Sequence, residues 1–232
     1  MQIHGLQKVT LIDFPKQVAC TVFLDRCNFR CGFCFNPKLA LGKETNFSMQ
    51  REDFFEFLEK RKNLLDGVCI TGGEPTMHPE LAEFCGKIKG MGFLVKLDTN
   101  GSNPGMLKTL INKKLVDYIA MDIKAPLEKY DEIVGAKVNK EAIRESIALI
   151  MNSGIDYEFR STLLPKFHSA QDMEKMASMV EGADLYCLQQ FNPNAEMIDN
   201  ELKKERKFIK EELEALKKIA ERYVKKVELR GI

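Results

Sequence analysis

Three cysteines lie close together in the first part of the chain. Cys27, Cys31 and Cys34 follow the spacing C-x3-C-x2-C. Thiolates this close in sequence can converge on one metal centre without help from distant parts of the fold, and Gly32 allows a tight bend between them. A four-iron cubane cluster held by three cysteines keeps one iron open to a small ligand. The spacing therefore predicts a [4Fe–4S] cluster with one open coordination position.

A structural zinc site is the main alternative for these cysteines. Such a site normally takes four cysteine or histidine ligands, whereas the nearest histidines, His4 and His78, are distant in sequence. A non-enzymatic iron–sulfur or zinc protein, which only transfers electrons or stabilises a fold, stays open as an interpretation. The other cysteines are predicted to be small apolar residues in strands or on a helix face; they are Cys20, Cys69, Cys85 and Cys187.

Polar groups also end three of the β-rich runs. The three segments are Gly72-Gly73-Glu74-Pro75, Asp98-Thr99-Asn100-Gly101 and Ala120-Met121-Asp122-Ile123-Lys124. Taken singly, they can be a glycine-rich turn, an Asx turn and a surface charge pair. Glycines also let a ligand approach the backbone, and Glu74 offers a carboxylate to an amine. Because the segments follow successive strands, we expect them to meet at the rim that holds the cysteines.

Short β-rich runs alternate with amphipathic helices and must position these groups. Strands are predicted at 18–24, 67–71, 93–99, 118–123, 157–163 and 185–191, with a short last strand at 227–229. Helices are predicted at 49–62, 140–152 and 201–224, and after Pro79, Asn103 and Ser169. Ser169 and Asp172 have the spacing of a capping box.

Six βα units in sequence imply parallel strands joined by right-handed crossovers. Six units are fewer than the eight of a closed (β/α)8 barrel. The fold class is therefore predicted as α/β, a partial (β/α)6 barrel with outer helices, in a single domain over residues 1–232. Ligands in such folds bind beyond the carboxyl ends of the strands.

Composition excludes several classes of partner. Lys and Arg number 35 against 34 Asp and Glu, so the net charge of +1 gives no reason to expect a nucleic acid or an anionic membrane surface. No apolar run approaches the roughly 20 residues of a membrane span, and the N-terminus lacks the pattern of a secretory signal. We therefore expect a cytoplasmic protein with no membrane or nucleic-acid partner.

These motifs resemble known ones. C-x3-C-x2-C with an aromatic residue, Phe33, before the last cysteine resembles the signature of the radical S-adenosylmethionine (SAM) superfamily. The pair D-T-N-G and M-D-I-K resembles the enzymes that activate glycyl radical enzymes. The opening G-L-Q-K-V-T-L-I-D-F-P at 5–15, followed by C-N-F-R-C, resembles the activating proteins of anaerobic ribonucleoside-triphosphate reductase. One residue departs from that pattern, because Phe35 stands where relatives commonly carry histidine.

The resemblance implies a role for each matching residue. Cys27, Cys31 and Cys34 would hold the cluster, with Phe33 and Phe35 beside the cofactors. Gly72, Gly73 and Glu74 would bind the methionine amino group of SAM. Lys124 would contact the SAM carboxylate, and Arg160 in the fifth strand would also contact SAM. Asp98, Thr99, Asp122 and the Ala120 carbonyl would hold a monovalent cation. Gln190 or Asn192 would take the place of a histidine that faces the ribose in relatives.

The resemblance also implies a reaction. Flavodoxin or ferredoxin would reduce the cluster, SAM would be cleaved to a 5′-deoxyadenosyl radical, and the radical would take hydrogen from a substrate. In an activating enzyme the substrate is a glycine of a partner glycyl radical enzyme, here anaerobic ribonucleotide reductase. A radical SAM enzyme that acts on a small molecule or on another peptide is the alternative. SAM binding separates both from the non-enzymatic interpretation, which gives Glu74, Asp98 and Lys124 no role.

Overall fold

One sheet organises the computed structural model, which describes residues 1–43 and 47–232. Within these residues the strands lie in chain order: β1 (Ile3–Thr10), β2 (Ala19–Leu24), β3 (Gly67–Gly72), β4 (Leu94–Thr99), β5 (Tyr118–Asp122), β6 (Asp156–Leu163), β7 (Tyr186–Gln190) and β8 (Val227–Arg230). β1 pairs antiparallel with β2, and each later neighbouring pair is parallel. The predicted α/β partial barrel is confirmed.

The sequence prediction missed β1. This strand lies at the edge of the sheet, and its buried residues, Ile3 and Thr10, stand at its two ends. The alternation of apolar and polar residues that marks a half-buried strand is therefore absent from it. The short last strand is present and pairs with β7, so it extends the parallel part of the sheet.

Helices cover the outer face of the sheet. They are α1 (Pro37–Ala40), α2 (Arg51–Glu59), α3 (Leu81–Gly90), α4 (Pro104–Asn112), α5 (Tyr130–Val134), α6 (Lys140–Met151), α7 (Ala170–Met179) and α8 (Lys210–Ala220). Short 3-10 turns occupy Pro75–Met77, Leu127–Lys129 and Asn200–Lys204. The capping box of Ser169 and Asp172 begins α7 as predicted. No helix among the described residues combines the length and apolarity needed to span a membrane.

The single helix predicted at 201–224 is wrong. The chain forms a 3-10 turn at Asn200–Lys204 and begins α8 only at Lys210. Between them Phe208 is buried, and its carbonyl accepts a hydrogen bond of 2.7 Å from the Gln190 side chain. Because this carbonyl accepts a hydrogen bond from a side chain of β7 instead of from a helical backbone N–H, the helix does not continue through Phe208.

Side chains on the inner face of the sheet change from apolar to charged along the strands. Phe14, Ala19, Tyr118 and Ala120 form a small apolar cluster near the amino ends of the strands, with Leu94 packed against it. The next inward positions of the central strands carry charged residues, which are Lys96, Asp98, Asp122, Glu158 and Arg160. The barrel is thus closed at one end by apolar packing and lined with charge toward the other.

Candidate active site

A cavity of about 470 Å³ lies at the carboxyl ends of the strands. Its size is within the range of small-molecule sites. Most of the predicted site residues line it, namely Cys27, Cys31, Phe33, Cys34, Phe35, Gly72, Gly73, Glu74, Asp98, Thr99, Asp122, Lys124, Arg160 and Gln190. Two predicted residues are not brought there: Ala120 belongs to the apolar cluster, and the Asn192 side chain is exposed. A larger groove of about 760 Å³ between α6 and α7 contains none of these residues.

Backbone hydrogen bonds fix the cysteine loop between β2 and α1. Cys27 N–H donates to the Ala40 carbonyl over 3.2 Å, and Cys34 N–H donates to the Cys31 carbonyl over 3.0 Å. The Gly32 carbonyl accepts from Asp199 N–H over 2.9 Å. A β carbon on Gly32 would lie 3.1 Å from the Asp199 β carbon, so the turn before α8 packs directly on the loop. The three cysteines are therefore presented to the cavity by a loop held from two sides.

The thiols of this loop lie in surroundings of low polarity. Burial raises the pKa of Cys27 to about 12 and that of Cys31 to about 11, although Lys124 partly offsets the effect at Cys31. A positively charged iron centre reverses this effect, because it stabilises thiolates directly. Among the described residues no three His, Cys, Asp or Glu side chains are grouped to hold a single metal ion. A cubane cluster binds each cysteine through a different iron, so its sulfur ligands stand farther apart than those of one ion.

The two glycines at the end of β3, Gly72 and Gly73, are required by close contacts within the backbone. Gly72 has φ +117°, and a β carbon there would lie 2.3 Å from the Leu24 carbonyl oxygen. At Gly73 a β carbon would lie 1.9 Å from the Arg26 carbonyl oxygen. The sequence interpretation predicted that a ligand approaches the backbone at these glycines. The structure shows that the end of β2 and the start of the cysteine loop approach it instead. Glycine here lets two parts of the backbone meet beside the cavity.

We expect Gly73→Ala to destabilise the protein by about 3 kcal/mol or more, because the new methyl overlaps backbone that has no room to move. Gly90→Ala is the matched control. Gly90 is exposed at the end of α3 with nothing within 4 Å of a β carbon, so alanine there should be neutral or stabilise by about 0.5–1 kcal/mol. Urea unfolding of both variants measures the difference. Equal stability of the two would contradict the assignment of Gly73.

Glu74 joins the ends of two strands. Its side chain is buried, and Oε1 accepts hydrogen bonds from Thr76 N–H at 3.1 Å, from the Thr76 hydroxyl and from the Thr99 hydroxyl at 2.7 Å. Oε2 accepts from Asn100 N–H at 2.7 Å. Burial raises the pKa of this carboxyl despite these bonds. Oε1 accepts three hydrogen bonds and Oε2 accepts one. Oε2 is therefore the oxygen that can accept a further hydrogen bond from a ligand amine.

Asn100 is a site residue that the sequence interpretation missed. Its side-chain amide donates to Asn28 Oδ1 at 2.9 Å and lies 3.8 Å from Cys27 Sγ. The Asn-Gly pair was interpreted only as a turn. The turn is present, since Ser102 N–H donates to Asn100 Oδ1 at 2.9 Å, but the other end of the same amide also braces the cysteine loop.

A chain of partly buried ion pairs crosses the inner face of the barrel. The Arg160 guanidinium donates to Asp98 Oδ2 at 3.1 Å and to Asp122 Oδ1 at 3.0 Å. Lys124 Nζ donates to Asp122 Oδ2 at 2.9 Å, and Lys96 Nζ donates to Asp98 Oδ1. Burial alone would raise the pKa of Asp122, but Arg160 and Lys124 outweigh it and lower that pKa to about 2. Both carboxylates therefore stay ionised at neutral pH.

Two buried side chains hold the backbone of Lys124. His168 Nδ1 accepts from Leu164 N–H at 3.0 Å, so the proton is on Nε2, which donates to the Lys124 carbonyl at 3.1 Å. The Tyr130 hydroxyl accepts from Lys124 N–H at 3.3 Å. No sequence motif pointed to either residue. Tyr130 lies six residues after Lys124 and His168 lies 44 residues after it, and the folded chain brings both side chains back to the Lys124 backbone. Together they fix where the Lys124 ammonium stands at the cavity.

Acidification should weaken this support. Burial lowers the pKa of His168 below its ordinary value, so the fold favours the neutral ring. The stability that this provides is complete above about pH 6.5, where the unfolded histidine is also neutral, and is lost as the pH falls. We expect urea unfolding between pH 7.5 and 5.5 to show a steeper loss for the wild type than for His168→Gln, by at most about 1.4 kcal/mol per pH unit. Parallel profiles would contradict the role of the ring.

Comparison with known proteins identifies the family. The sequence profile described as the Radical SAM superfamily matches residues 21–180. The chain belongs to the radical SAM superfamily. Enzymes of this superfamily use a [4Fe–4S] cluster and S-adenosylmethionine, and the match begins within β2 and includes all three cysteines.

Individual radical SAM relatives agree with this result. A Methanocaldococcus jannaschii protein assigned to the glycyl-radical enzyme activating enzymes is 35% identical over 235 residues, covering 99% of this chain and 96% of its own. The pyruvate formate-lyase-activating enzyme of Clostridium pasteurianum is 26% identical over 189 residues, covering 78% and 76%. The crystal structure of Streptococcus suis SuiB bound to S-adenosylmethionine matches 90% of this chain with a TM-score of 0.65. It is 16% identical and this chain spans 51% of its length, so it shows the fold alone.

The donor set of the radical SAM site fits both cofactors. Three cysteines on one loop suit the cluster, and Lys124 offers an ammonium to a carboxylate. Gln190 adds an acceptor, because its Oε1 is buried and has no hydrogen-bond partner among the described residues. A buried polar atom without a partner is a common sign of a missing ligand contact.

Phe35 packs beside the residue that follows β7. Its ring stacks on that of Phe191 with centroids 6.3 Å apart and an interplanar angle of 16°. Phe33 contacts Phe167 at 6.1 Å between centroids and is buried. The cysteine loop is thus flanked by aromatic contacts at Phe33 and Phe35.

Proposed function

We propose that this radical SAM enzyme activates anaerobic ribonucleoside-triphosphate reductase by taking a hydrogen atom from a glycine of that protein. The observation that carries the proposal is the convergence of the three cysteines and Lys124 on one cavity. Similarity to an assigned glycyl-radical enzyme activating enzyme over 96% of that relative's length supports the activating function. The resemblance of residues 5–15 to the reductase activating proteins supports the choice of target.

The proposal assigns the cluster to Cys27, Cys31 and Cys34. When bound, the cluster and SAM supply the one-electron chemistry that breaks a carbon–sulfur bond of the sulfonium and yields the 5′-deoxyadenosyl radical. Lys124 binds the SAM carboxylate. Burial would lower its pKa, but Asp122 outweighs this and raises the pKa, so the ammonium keeps its charge at every physiological pH.

The remaining polar groups orient the methionine and ribose parts of SAM. Glu74 accepts from the amino group through Oε2, the oxygen that otherwise receives Asn100 N–H. Gln190 accepts from a ribose hydroxyl through its unpartnered Oε1. Gln190 Nε2 is anchored to the Phe208 carbonyl at 2.7 Å, so the side chain presents that oxygen in a fixed orientation.

The test is a reconstitution with the proposed target. The protein is loaded anaerobically with iron and sulfide and reduced with flavodoxin, ferredoxin or dithionite. It is then mixed with SAM and purified anaerobic ribonucleotide reductase. Electron paramagnetic resonance measures the glycyl radical, and chromatography measures 5′-deoxyadenosine. We expect a protein radical on the reductase and a large decrease of both signals with Lys124→Ala.

Each other outcome selects a different function. A radical formed on pyruvate formate-lyase but not on the reductase would keep the activating chemistry and replace the target. Release of 5′-deoxyadenosine without any protein radical would favour a small molecule or another peptide as substrate. Absence of both SAM cleavage and SAM binding in a protein with a full cluster would favour the non-enzymatic iron–sulfur interpretation.

A further inference from the structure

The four oxygens of two site carboxylates are already matched with cations of the chain. Asp98 faces Lys96 Nζ through Oδ1 and Arg160 through Oδ2. Asp122 faces Arg160 through Oδ1 and Lys124 through Oδ2. These are the carboxylates that the family resemblance assigned to a monovalent cation. With each oxygen paired to an ammonium or guanidinium, the residues present do not fit an additional cation.

The third side chain expected at that cation is also engaged. The Thr99 hydroxyl donates to Glu74 Oε1 at 2.7 Å and accepts from Gly101 N–H at 3.1 Å. Its oxygen is therefore committed to joining β4 to the Glu74 loop. A metal ion would have to displace one of these bonds as well as a cationic side chain.

Of the three cationic side chains at these carboxylates, Lys96 is the one whose ion pair with Asp98 is its main evident role among the described residues. Arg160 bridges two carboxylates and Lys124 faces the cysteine loop, whereas the ion pair of Lys96 is with Asp98. Its side chain is 2% exposed, with Nζ 3.8 Å from Cys69 Sγ and 5.8 Å from the centre of the Tyr118 ring. Burying an ammonium this deeply is unfavourable unless it neutralises a charge.

The Lys96 ammonium is paired directly with the carboxylate. Lys96 Nζ donates a hydrogen bond to Asp98 Oδ1 within the same strand. The lysine is a positive charge attached to β4, two residues before the carboxylate that it serves. A covalently attached cation has an advantage over a bound ion, because its local concentration does not depend on the salt outside.

We propose that Lys96 is a built-in replacement for the monovalent cation: its ammonium occupies the cation position at Asp98 and makes the site independent of Na⁺ and K⁺. The inference goes beyond the proposed function, since it holds for the folded protein whatever its substrate. It also predicts that removing the ammonium uncovers a site at Asp98 that a small monovalent cation can enter.

The test compares salts of equal ionic strength on the full-length protein as purified under anaerobic conditions. Thermal unfolding is followed in choline chloride, NaCl and KCl for the wild type and for Lys96→Met, which keeps the apolar stem without the charge. We expect one unfolding temperature for the wild type in all three salts. Lys96→Met should unfold at a lower temperature in choline chloride. Na⁺ or K⁺ should raise it saturably by about 3–6 °C at ten times the dissociation constant.

A double variant separates the proposed site from general salt effects. Lys96→Met with Asp98→Asn removes both the ammonium and the carboxylate that a cation would neutralise, so the difference between the salts should disappear. The proposal is overturned by a selective, saturable response of the wild type to Na⁺ or K⁺. It is equally overturned if Lys96→Met responds no differently from the wild type, fails to fold in all three salts, or keeps its response after Asp98→Asn.

Discussion

Replacing Cys31 with alanine is expected to abolish both cluster assembly and SAM cleavage. Cys31 is the most buried of the three cysteines, with 7% of its surface exposed, and it stands at the centre of the loop motif. Two remaining thiolates leave two irons of a cubane without protein ligands, so the cluster is lost rather than weakened. Burial raises the pKa of the Cys31 thiol to about 11, so the thiolate at this position needs a metal centre to stabilise it near neutral pH.

Iron and sulfide content, visible absorbance and 5′-deoxyadenosine production measure the effect. Cys85→Ala is the matched control, because Cys85 is also buried but lies on the apolar face of α3 and does not line the cavity. The control should keep its iron and its activity while losing some stability from the small void it creates. A Cys31→Ala protein with a full complement of four irons would show that the cluster has another ligand set.

Replacing Arg160 with methionine should give a very large loss of stability for a single change on the inner face of the barrel. The guanidinium donates to Asp98 and Asp122 from the strand that follows them and also approaches Glu158 at 4.0 Å. Removing it leaves two partly buried carboxylates, 15% and 25% exposed, with one cationic partner fewer. Solvent reaches these side chains, so we expect a cost of about 3 kcal/mol, the lower end of the range for breaking a buried pair. In a protein of this size that corresponds to a fall in unfolding temperature of roughly 6–12 °C.

The pH dependence of that loss has a definite sign. In the wild type the pKa of Asp122 is lowered to about 2, so the stability it contributes is present above its unfolded value of about 3.8 and is lost on acidification. Without Arg160 the carboxylates have higher pKa values and take up protons earlier. We therefore expect the difference between wild type and Arg160→Met to shrink as the pH is lowered.

Urea unfolding at several pH values checks both statements. Arg144→Met on α6 is the control, since that guanidinium is largely exposed and its ion pair with Glu141 lies 3.5 Å apart at the surface. Its replacement should change stability by about 0.5 kcal/mol or less. A loss below about 1 kcal/mol for Arg160→Met, or a difference that grows on acidification, would contradict the account of the ion pairs.

Sequence by itself determined the parts of this protein that depend on local spacing. The three cysteines are near neighbours, and their contribution to one loop follows from that spacing. Glu74, Asp98, Asp122 and Lys124 each follow or end a strand, and parallel strands bring their carboxyl ends to one edge whatever their exact register. The alternation of strands and helices was sufficient to predict the partial barrel and to place these groups on the same rim.

Tertiary structure decided the parts that depend on contacts between distant residues. Arg160 meets Asp98 across 62 positions of sequence, and His168 meets Lys124 across 44. The edge strand β1 and the break before α8 likewise depend on neighbours, β2 and Gln190, rather than on their own residue patterns. In the sequence, Lys96 is one charged residue within a predicted strand. Only the fold buries it on the inner face of the barrel beside Asp98. Burial and partner together set the charge state and role of such a group, and neither is encoded in local sequence.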